Sequence, residues 1–150
     1  MVITFIPMAN NLSNYTSTNF CTPGIVMKSA LIPGKLSVCC ANGQSICARR
    51  LCKLDELRQI VNISNVDVVC VNESWLNDKV SDSVVEIKGY NSFRHDRVGR
   101  LGGGILVYCR KGLKVRIIHK SSHNPSAGNF EFLAMELTLL NTQNASHSSI

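Results

Sequence analysis

Glu73 is the residue whose place in the sequence most suggests chemistry. It closely follows the β-branched run 66–71, which is typical of a strand buried on both faces, and Asn42 follows another apolar run, 35–41. Ligands of α/β sheets lie at the carboxyl ends of strands, and a parallel pair brings neighbouring ends to one edge. A carboxylate with a carbonyl oxygen is a common Mg²⁺ site, and Mg²⁺ stabilises the charge that develops in phosphodiester cleavage. Spacing alone favours a simpler interpretation, in which Glu73 caps the next turn and Asn42-Gly43 is only a turn.

Positive charge is concentrated in one stretch of the chain. Eight Lys or Arg residues lie between Arg94 and Lys120, against a single acid, Asp96, and the net charge of the whole chain is +6. Clustered cations of this kind are typical of nucleic-acid binding. A solvated hairpin rim explains the same residues equally well, so the charge alone leaves both interpretations open.

Several other functions receive little support from the sequence. Gly102-Gly103-Gly104 lacks the Lys-Ser/Thr of a P-loop and precedes a predicted strand, which indicates close backbone packing rather than a phosphate cradle. Seven cysteines with no Cys-x-x-Cys pair favour a reducing, intracellular compartment. No run approaches the roughly 18 consecutive apolar residues of a membrane span, so we expect no membrane insertion.

The elements that would position these residues follow from hydrophobic periodicity. A strand at 35–41, an amphipathic helix at about 46–61 and a strand at 66–71 predict a parallel pair with a helical crossover. Further strands are predicted at 84–87, 105–109, 115–118 and 130–140. The fold class is therefore mixed α/β. We expect residues 1–34 to form a poorly ordered leader, 35–140 to form the domain, and 141–150 to form a polar tail.

Several segments, taken in order, resemble a known family. They are Ala41-Asn42-Gly43-Gln44-Ser45-Ile46, Leu54-Asp55-Glu56-Leu57, Val68 to Leu76, Gly89-Tyr90, Phe93 to Arg97, and Gly99 to Ile105. Their order and spacing are similar to the amino-terminal part of the apurinic-type endonuclease domain that precedes reverse transcriptase in non-LTR retrotransposons. That domain belongs to the exonuclease–endonuclease–phosphatase superfamily. The resemblance runs from about residue 35 to residue 140.

The resemblance implies a fold, a reaction and a set of site residues. The fold would be part of a four-layer α/β sandwich, and the reaction would be Mg²⁺-dependent nicking of DNA in the nucleus, with no small-molecule cofactor. Glu73 would be the catalytic, metal-ligating carboxylate, and Asn42 would be the amide that supports the metal and the phosphate. Arg94, Arg97 and Arg100 would lie near the rim that faces the DNA.

The chain also departs from the family pattern. The Asn-x-Arg-Ser run of the family is Asn42-Gly43-Gln44-Ser45 here, and Ser74 replaces a Thr. The later motifs of the family are absent, namely an active-site Tyr, an Asp-x-Asn and a Ser-Asp-His. The sequence therefore predicts a truncated endonuclease that is inactive as this chain. The alternatives are a basic nucleic-acid-binding module without catalysis and a nonfunctional relic, and the oligomeric state stays open.

Overall fold

Strands dominate the part of the chain that the structure describes. The computed structural model describes residues 2–5, 19–22, 25–32, 36–47, 52–99, 101–122 and 131–139. The strands are β1 (Val2–Phe5), β2 (Asn19–Thr22), β3 (Ile25–Ile32), β4 (Leu36–Asn42), β5 (Val68–Asn72), β6 (Tyr90–His95), β7 (Ile105–Arg110), β8 (Leu113–Lys120) and β9 (Leu133–Leu139). The helices are α1 (Cys52–Ser64) and α2 (Asp82–Val85). One sheet has the strand order β2-β3-β4-β5-β7-β6, and the other has the order β1-β9-β8.

The predicted parallel pair with a helical crossover is confirmed. β4 and β5 pair in parallel, and α1 connects them. Leu54, Leu57 and Val61 recur at helical spacing on α1 and are fully buried. The helix is described over Cys52–Ser64 and does not include residue 46, because the Ile46 N–H bonds instead to Ser74 O, after β5, at 3.1 Å.

The six-stranded sheet is covered on both faces. One face packs against both helices, through residues such as Val69, Leu106 and Tyr108. The opposite face, with Val68 and Val107, packs against the inner side chains of the second sheet. Burial on both faces is the reason why β5 and β7 lack polar alternation. The described residues thus form a mixed α/β fold, as predicted, with three layers in the order helices, sheet and sheet.

The strand predicted at 84–87 is wrong. Residues 82–85 form α2, and a strand that was not predicted, β6, begins at Tyr90 after Gly89. The β-branched pair Val84-Val85 favours a strand locally, but Val85 and Ile87 pack onto the helical side of the sheet. A strand there would have no neighbouring backbone to pair with, whereas Tyr90–His95 pairs with the free edge of β7.

The segment 1–34 contains three strands where the sequence suggests a leader without regular structure. β1 pairs with β9, while β2 and β3 form a hairpin that joins the edge of β4. The pairing of β1 with β9 links residues that are distant in the chain, and the two hairpins lie in a segment without apolar periodicity, so the sequence pattern did not indicate these strands. The predicted tail, 141–150, lies outside the described residues. Among the described helices, none has the length and apolar character that crossing a membrane requires.

Candidate active site

The carboxyl ends of β4 and β5 bring Asn42 and Glu73 to the same edge of the sheet. Asn42 is paired in register with Asn72, the residue before Glu73. The segments that follow β4 and β5 continue side by side beyond the strands. Gly43 N–H donates to Asn72 O at 2.7 Å, and Ser45 N–H donates to Glu73 O at 2.9 Å. The juxtaposition that the strand order predicts is therefore present. We call this edge, with the loop residues 43–46, 73–76, 97–99 and 101–104, the Glu73 rim.

The backbone at Glu73 is held in an uncommon conformation. Glu73 and Trp75 both have φ of 54°, in the left-handed region that costs a non-glycine residue about 1 kcal/mol or more. Two hydrogen bonds hold the turn, from Ser74 N–H to Gly104 O (3.2 Å) and from Trp75 N–H to Gly103 O (2.9 Å). The loops 73–75 and 102–104 thus extend the pairing of β5 with β7 past the ends of the strands.

The Glu73 carboxylate is oriented through only one of its oxygens. Oε2 accepts hydrogen bonds from the Trp75 indole N–H and the Gly103 backbone N–H, both at 2.8 Å. Among the described residues, none donates to Oε1. The side chain is partly exposed. The carboxylate therefore has a fixed direction and one oxygen available for a ligand.

The three glycines before β7 all have positive φ, and two of them, Gly103 and Gly104, also pack closely against side chains. Gly102, Gly103 and Gly104 have φ between 75° and 81°. A Cβ on Gly103 would lie 2.3 Å from Arg97 Cζ, and a Cβ on Gly104 would lie 2.8 Å from Oγ of the buried Ser74. Close backbone packing, as predicted for this run, is confirmed. Its consequence is that the Gly103 N–H reaches Glu73.

A second carboxylate, Glu131, is engaged at the same glycine loop. Its Oε1 is ion-paired with Arg97 Nε, and its Oε2 accepts a hydrogen bond from Gly104 N–H at 2.9 Å. Partial burial acts to raise the pKa of Glu131, but the bonds from Arg97 and Gly104 outweigh it and hold the pKa below its ordinary value. The Glu131 hydrogen bond raises the pKa of Arg97, and the nearby Glu73 charge raises it further.

Arg94 lies in an internal network. Its guanidinium contacts Asp82 at 2.7 Å and Asp96 at 2.5 Å, and donates to the carbonyls of Val80 (2.7 Å) and Asn77 (3.0 Å). The side chain is only 14% exposed. The network ties β6 to the segment that contains α2. A DNA contact by Arg94 stays a prediction that would require exchanging these partners, and Arg100 lies outside the described residues.

Half of the eight cations in the basic stretch are paired with acids. All four described arginines in it are ion-paired: Arg94, Arg97, Arg110 with Asp67, and Arg116 with Glu136. Lys111, Lys114 and Lys120 form no ion pair with any described residue. Of these lysines, Lys120 lines a cleft of about 450 Å³ together with Arg94 and Arg97.

The structure adds residues that the sequence reasoning did not single out. Lys53 Nζ donates to the carbonyls of Gly43 (3.0 Å) and Gln44 (2.8 Å), which brings a cation to the loop after Asn42. Asn72 is a second amide beside Asn42, and Trp75 and Glu131 hold the rim as described above. Asn72 and Trp75 lie within two residues of Glu73, so the sequence around Glu73 could have indicated them. Lys53 and Glu131 carry no local signal, because long-range folding places them.

The Glu73 rim offers few protein ligands to a metal ion. Within the described part of the chain, no group of three or more His, Cys, Asp or Glu side chains has metal-binding geometry. No described residue donates to Glu73 Oε1, and Asn42 is an exposed amide whose Oδ1 accepts the Gln44 N–H at 3.2 Å. Mg²⁺ commonly binds through one or two carboxylates, water and substrate phosphate. The donor set therefore fits Mg²⁺ shared with a phosphate, not a cage of protein ligands.

Comparisons of the chain with protein-family models, with curated protein sequences and with solved structures found no match. The geometry of the Glu73 rim and the resemblance in sequence are therefore the basis for a functional assignment.

Proposed function

We propose that this chain is the amino-terminal part of a Mg²⁺-dependent DNA endonuclease domain of the non-LTR retrotransposon type, and that it does not nick DNA efficiently by itself. The observation that carries the proposal is the Glu73 carboxylate. It stands at the carboxyl end of a parallel strand, is oriented by two hydrogen bonds to Oε2, and accepts no hydrogen bond at Oε1 from any described residue.

The rim offers what metal and phosphate binding require. Glu73, with Asn42 beside it, would hold the ion, and bound Mg²⁺ supplies stabilisation of the charge that develops on a phosphate. Because Trp75 and Gly103 already fix the Glu73 side chain, little reorganisation accompanies binding. Lys120 and Lys53 add positive charge that attracts the DNA backbone.

Hydrolysis needs more than this set of residues supplies. Proton transfer from the attacking water and stabilisation of the leaving oxygen each require a positioned group. Two other titratable groups near the rim are already engaged: Glu131 is paired with Arg97, and the buried His95 bonds through Nε2 to Ser121 Oγ at 2.7 Å. We therefore expect binding of metal and DNA without efficient turnover.

The proposal includes the architecture implied by the resemblance. The helices, the six-stranded sheet and the three-stranded sheet would correspond to three layers of a four-layer α/β sandwich. The fourth layer would cover the outer face of the three-stranded sheet. Among the described residues, that face carries Lys114 and the ion pair of Arg116 with Glu136.

The direct test is metal binding at Glu73. We would titrate Mn²⁺, as a paramagnetic substitute for Mg²⁺, into the full chain bound to a short DNA duplex and follow NMR line broadening. Broadening around residues 42–46 and 73–75 is expected in the wild type and lost in Glu73→Gln. Glu86→Gln, which removes an exposed carboxylate at another site, is the matched control and should leave the broadening unchanged.

A supercoiled-plasmid assay tests the expected lack of turnover. Wild type and Glu73→Ala should show the same low background of nicked plasmid in Mg²⁺. Nicking that requires Mg²⁺ and disappears in Glu73→Ala would show that the chain is a complete enzyme. DNA binding that ignores both Mn²⁺ and Glu73 would instead indicate the binding module, and no DNA binding would indicate the relic.

A further inference from the structure

An aromatic side chain is half-exposed beside the Glu73 carboxylate. Trp75 is the only tryptophan of the chain, and 46% of its surface is accessible. Its indole N–H donates to Glu73 Oε2 at 2.8 Å. The polar atom of the ring is therefore already bonded, and what the ring offers to a ligand is apolar surface.

The ring is held in place before any ligand arrives. The Trp75 backbone N–H bonds to Gly103 O, and its side-chain N–H bonds to Glu73. Gly102 lies against the indole, since a Cβ on Gly102 would be 3.5 Å from Nε1 and 3.6 Å from Cε2. A ligand that stacks on Trp75 thus binds a side chain whose conformational entropy is already reduced.

Further apolar side chains flank the glycine that contacts the ring. Leu101, which precedes Gly102, is 96% exposed, and Val98 in the same loop is 65% exposed. We call Trp75, Val98 and Leu101 the Trp75 platform. A stable interface with a second copy of the chain buries about 800 Å² on each partner, which is more than three side chains provide.

We propose that the Trp75 platform binds an unpaired nucleobase of the nucleotide whose phosphate lies at Glu73. This inference rests on the proposed function. Proteins bind single-stranded nucleic acid with aromatic rings near cations, and Lys120, which pairs with no described acid, lines the same cleft as Val98 of the platform. Bases inside a duplex already stack on each other, so only a single-stranded or extruded base presents a face to Trp75. The preferred substrate class is therefore DNA with unpaired nucleotides.

The first experiment uses the intrinsic fluorescence of the full chain, which comes from one tryptophan. We would titrate three probes of equal length: oligothymidylate, an oligonucleotide backbone with abasic sites throughout, and a blunt duplex. Binding of each would be followed in parallel by fluorescence anisotropy of a labelled probe. Quenching of Trp75 by oligothymidylate, but not by the abasic strand or the duplex, is expected at equal occupancy.

The second experiment compares an aromatic with an aliphatic replacement of Trp75, which distinguishes stacking on a ring from contact with an apolar side chain. Trp75→Leu should weaken binding of oligothymidylate about tenfold, because base stacking on an aromatic ring is lost. Trp75→Phe should retain most of the affinity. Both variants lose the same indole N–H bond to Glu73, so the difference between them isolates stacking, and the duplex should bind equally to the two. Ile63→Ser, which removes an 86%-exposed apolar side chain from α1, is the control and should change neither affinity.

Each other outcome overturns the inference in an identifiable way. Equal quenching by the abasic strand would show that Trp75 senses phosphate charge only. Binding of oligothymidylate without quenching would remove the stacking site but leave the proposed endonuclease function standing. If Trp75 fluorescence falls with increasing protein concentration when no DNA is present, the platform would instead be a contact between copies of the chain. Failure of all three probes to bind would overturn the stacking site and the proposed function together.

Discussion

The Glu73 carboxylate and the arginines of the basic stretch differ in how many of their hydrogen-bonding atoms are already paired within the protein. At Glu73, both hydrogen bonds from described residues go to Oε2, and Oε1 is left for a ligand. At Arg94, the guanidinium already contacts two carboxylates and two backbone carbonyls. The fold thus leaves a carboxylate oxygen of Glu73 accessible to a ligand, whereas the hydrogen-bonding groups of Arg94 are already used within the protein.

The difference shows that charge density along a chain does not measure charge available to a partner. Folding brings Asp67 to Arg110 and Glu131, in the loop before β9, to Arg97, whereas Asp96 pairs with Arg94 from two positions along the chain. Among the described residues, the cations near the rim that form no ion pair are lysines, and one of them, Lys53, lies outside the basic stretch. The stretch thus stabilises the fold first, and the Glu73 rim is where ligand chemistry remains possible.

The largest expected effect comes from removing the arginine network. Arg94→Met leaves the carboxylate of Asp96 and the carbonyls of Asn77 and Val80 without their donor, and we expect a loss of about 2 to 3 kcal/mol in the free energy of unfolding. Arg116→Met breaks an exposed pair and should have little measurable effect. Urea denaturation measures both. Equal stabilities of the two variants would contradict the structural role of Arg94.

A smaller effect is expected at the glycine loop. Gly103→Ala and Gly112→Ala both place alanine at positive φ, which costs about 1 to 2 kcal/mol. Only Gly103→Ala also forces a methyl group against the Arg97 guanidinium, whereas a Cβ on Gly112 has no atom within 4 Å. Gly103→Ala should therefore be the less stable variant by chemical denaturation. The same loss in both would mean that contact with Arg97 is unimportant.

The Glu131 pair should make stability depend on pH. Because the pKa of Glu131 is lowered in the fold, its ionised form stabilises the fold above the ordinary value of 4.5, and this contribution disappears as pH falls through the folded pKa. Glu131→Gln should cost about 1 kcal/mol at neutral pH, with some solvent screening. The difference from wild type should vanish in acid. Thermal unfolding across a pH series would show it, and a constant difference would contradict the ion pair with Arg97.

The smallest effect concerns the lysines. Lys120 lies in the cleft beside the rim, whereas Lys111 lies in the turn between β7 and β8, at the other end of β8. If DNA binds at the Glu73 rim, Lys120→Ala should reduce the salt slope of duplex binding by about 0.9, the value for one phosphate contact. Lys111→Ala should leave it unchanged. Titrations over a series of KCl concentrations measure both slopes, and the reverse order would place DNA on another face.

Local periodicity was sufficient for the unit that carries the candidate site. The apolar run 66–71, the helical spacing of Leu54, Leu57 and Val61, and the run 35–41 correctly predict β5, α1 and β4. From that unit follows the meeting of Asn42 and Glu73 at one edge. These inferences hold because a strand repeats every two residues and a helix every 3.6, so a short window of sequence contains the signal.

Long-range contacts decided what periodicity does not encode. The pairing of Arg97 with Glu131 spans 34 positions, and the bond of Gly103 to Glu73 spans 30. The choice of α2 over a strand at 84–87 likewise depended on the helical side of the sheet being the surface available to Val85. The sequence by itself determined where a carboxylate meets the end of a strand. Only the tertiary structure decided which charges are neutralised, because ion pairs form between side chains that folding brings together.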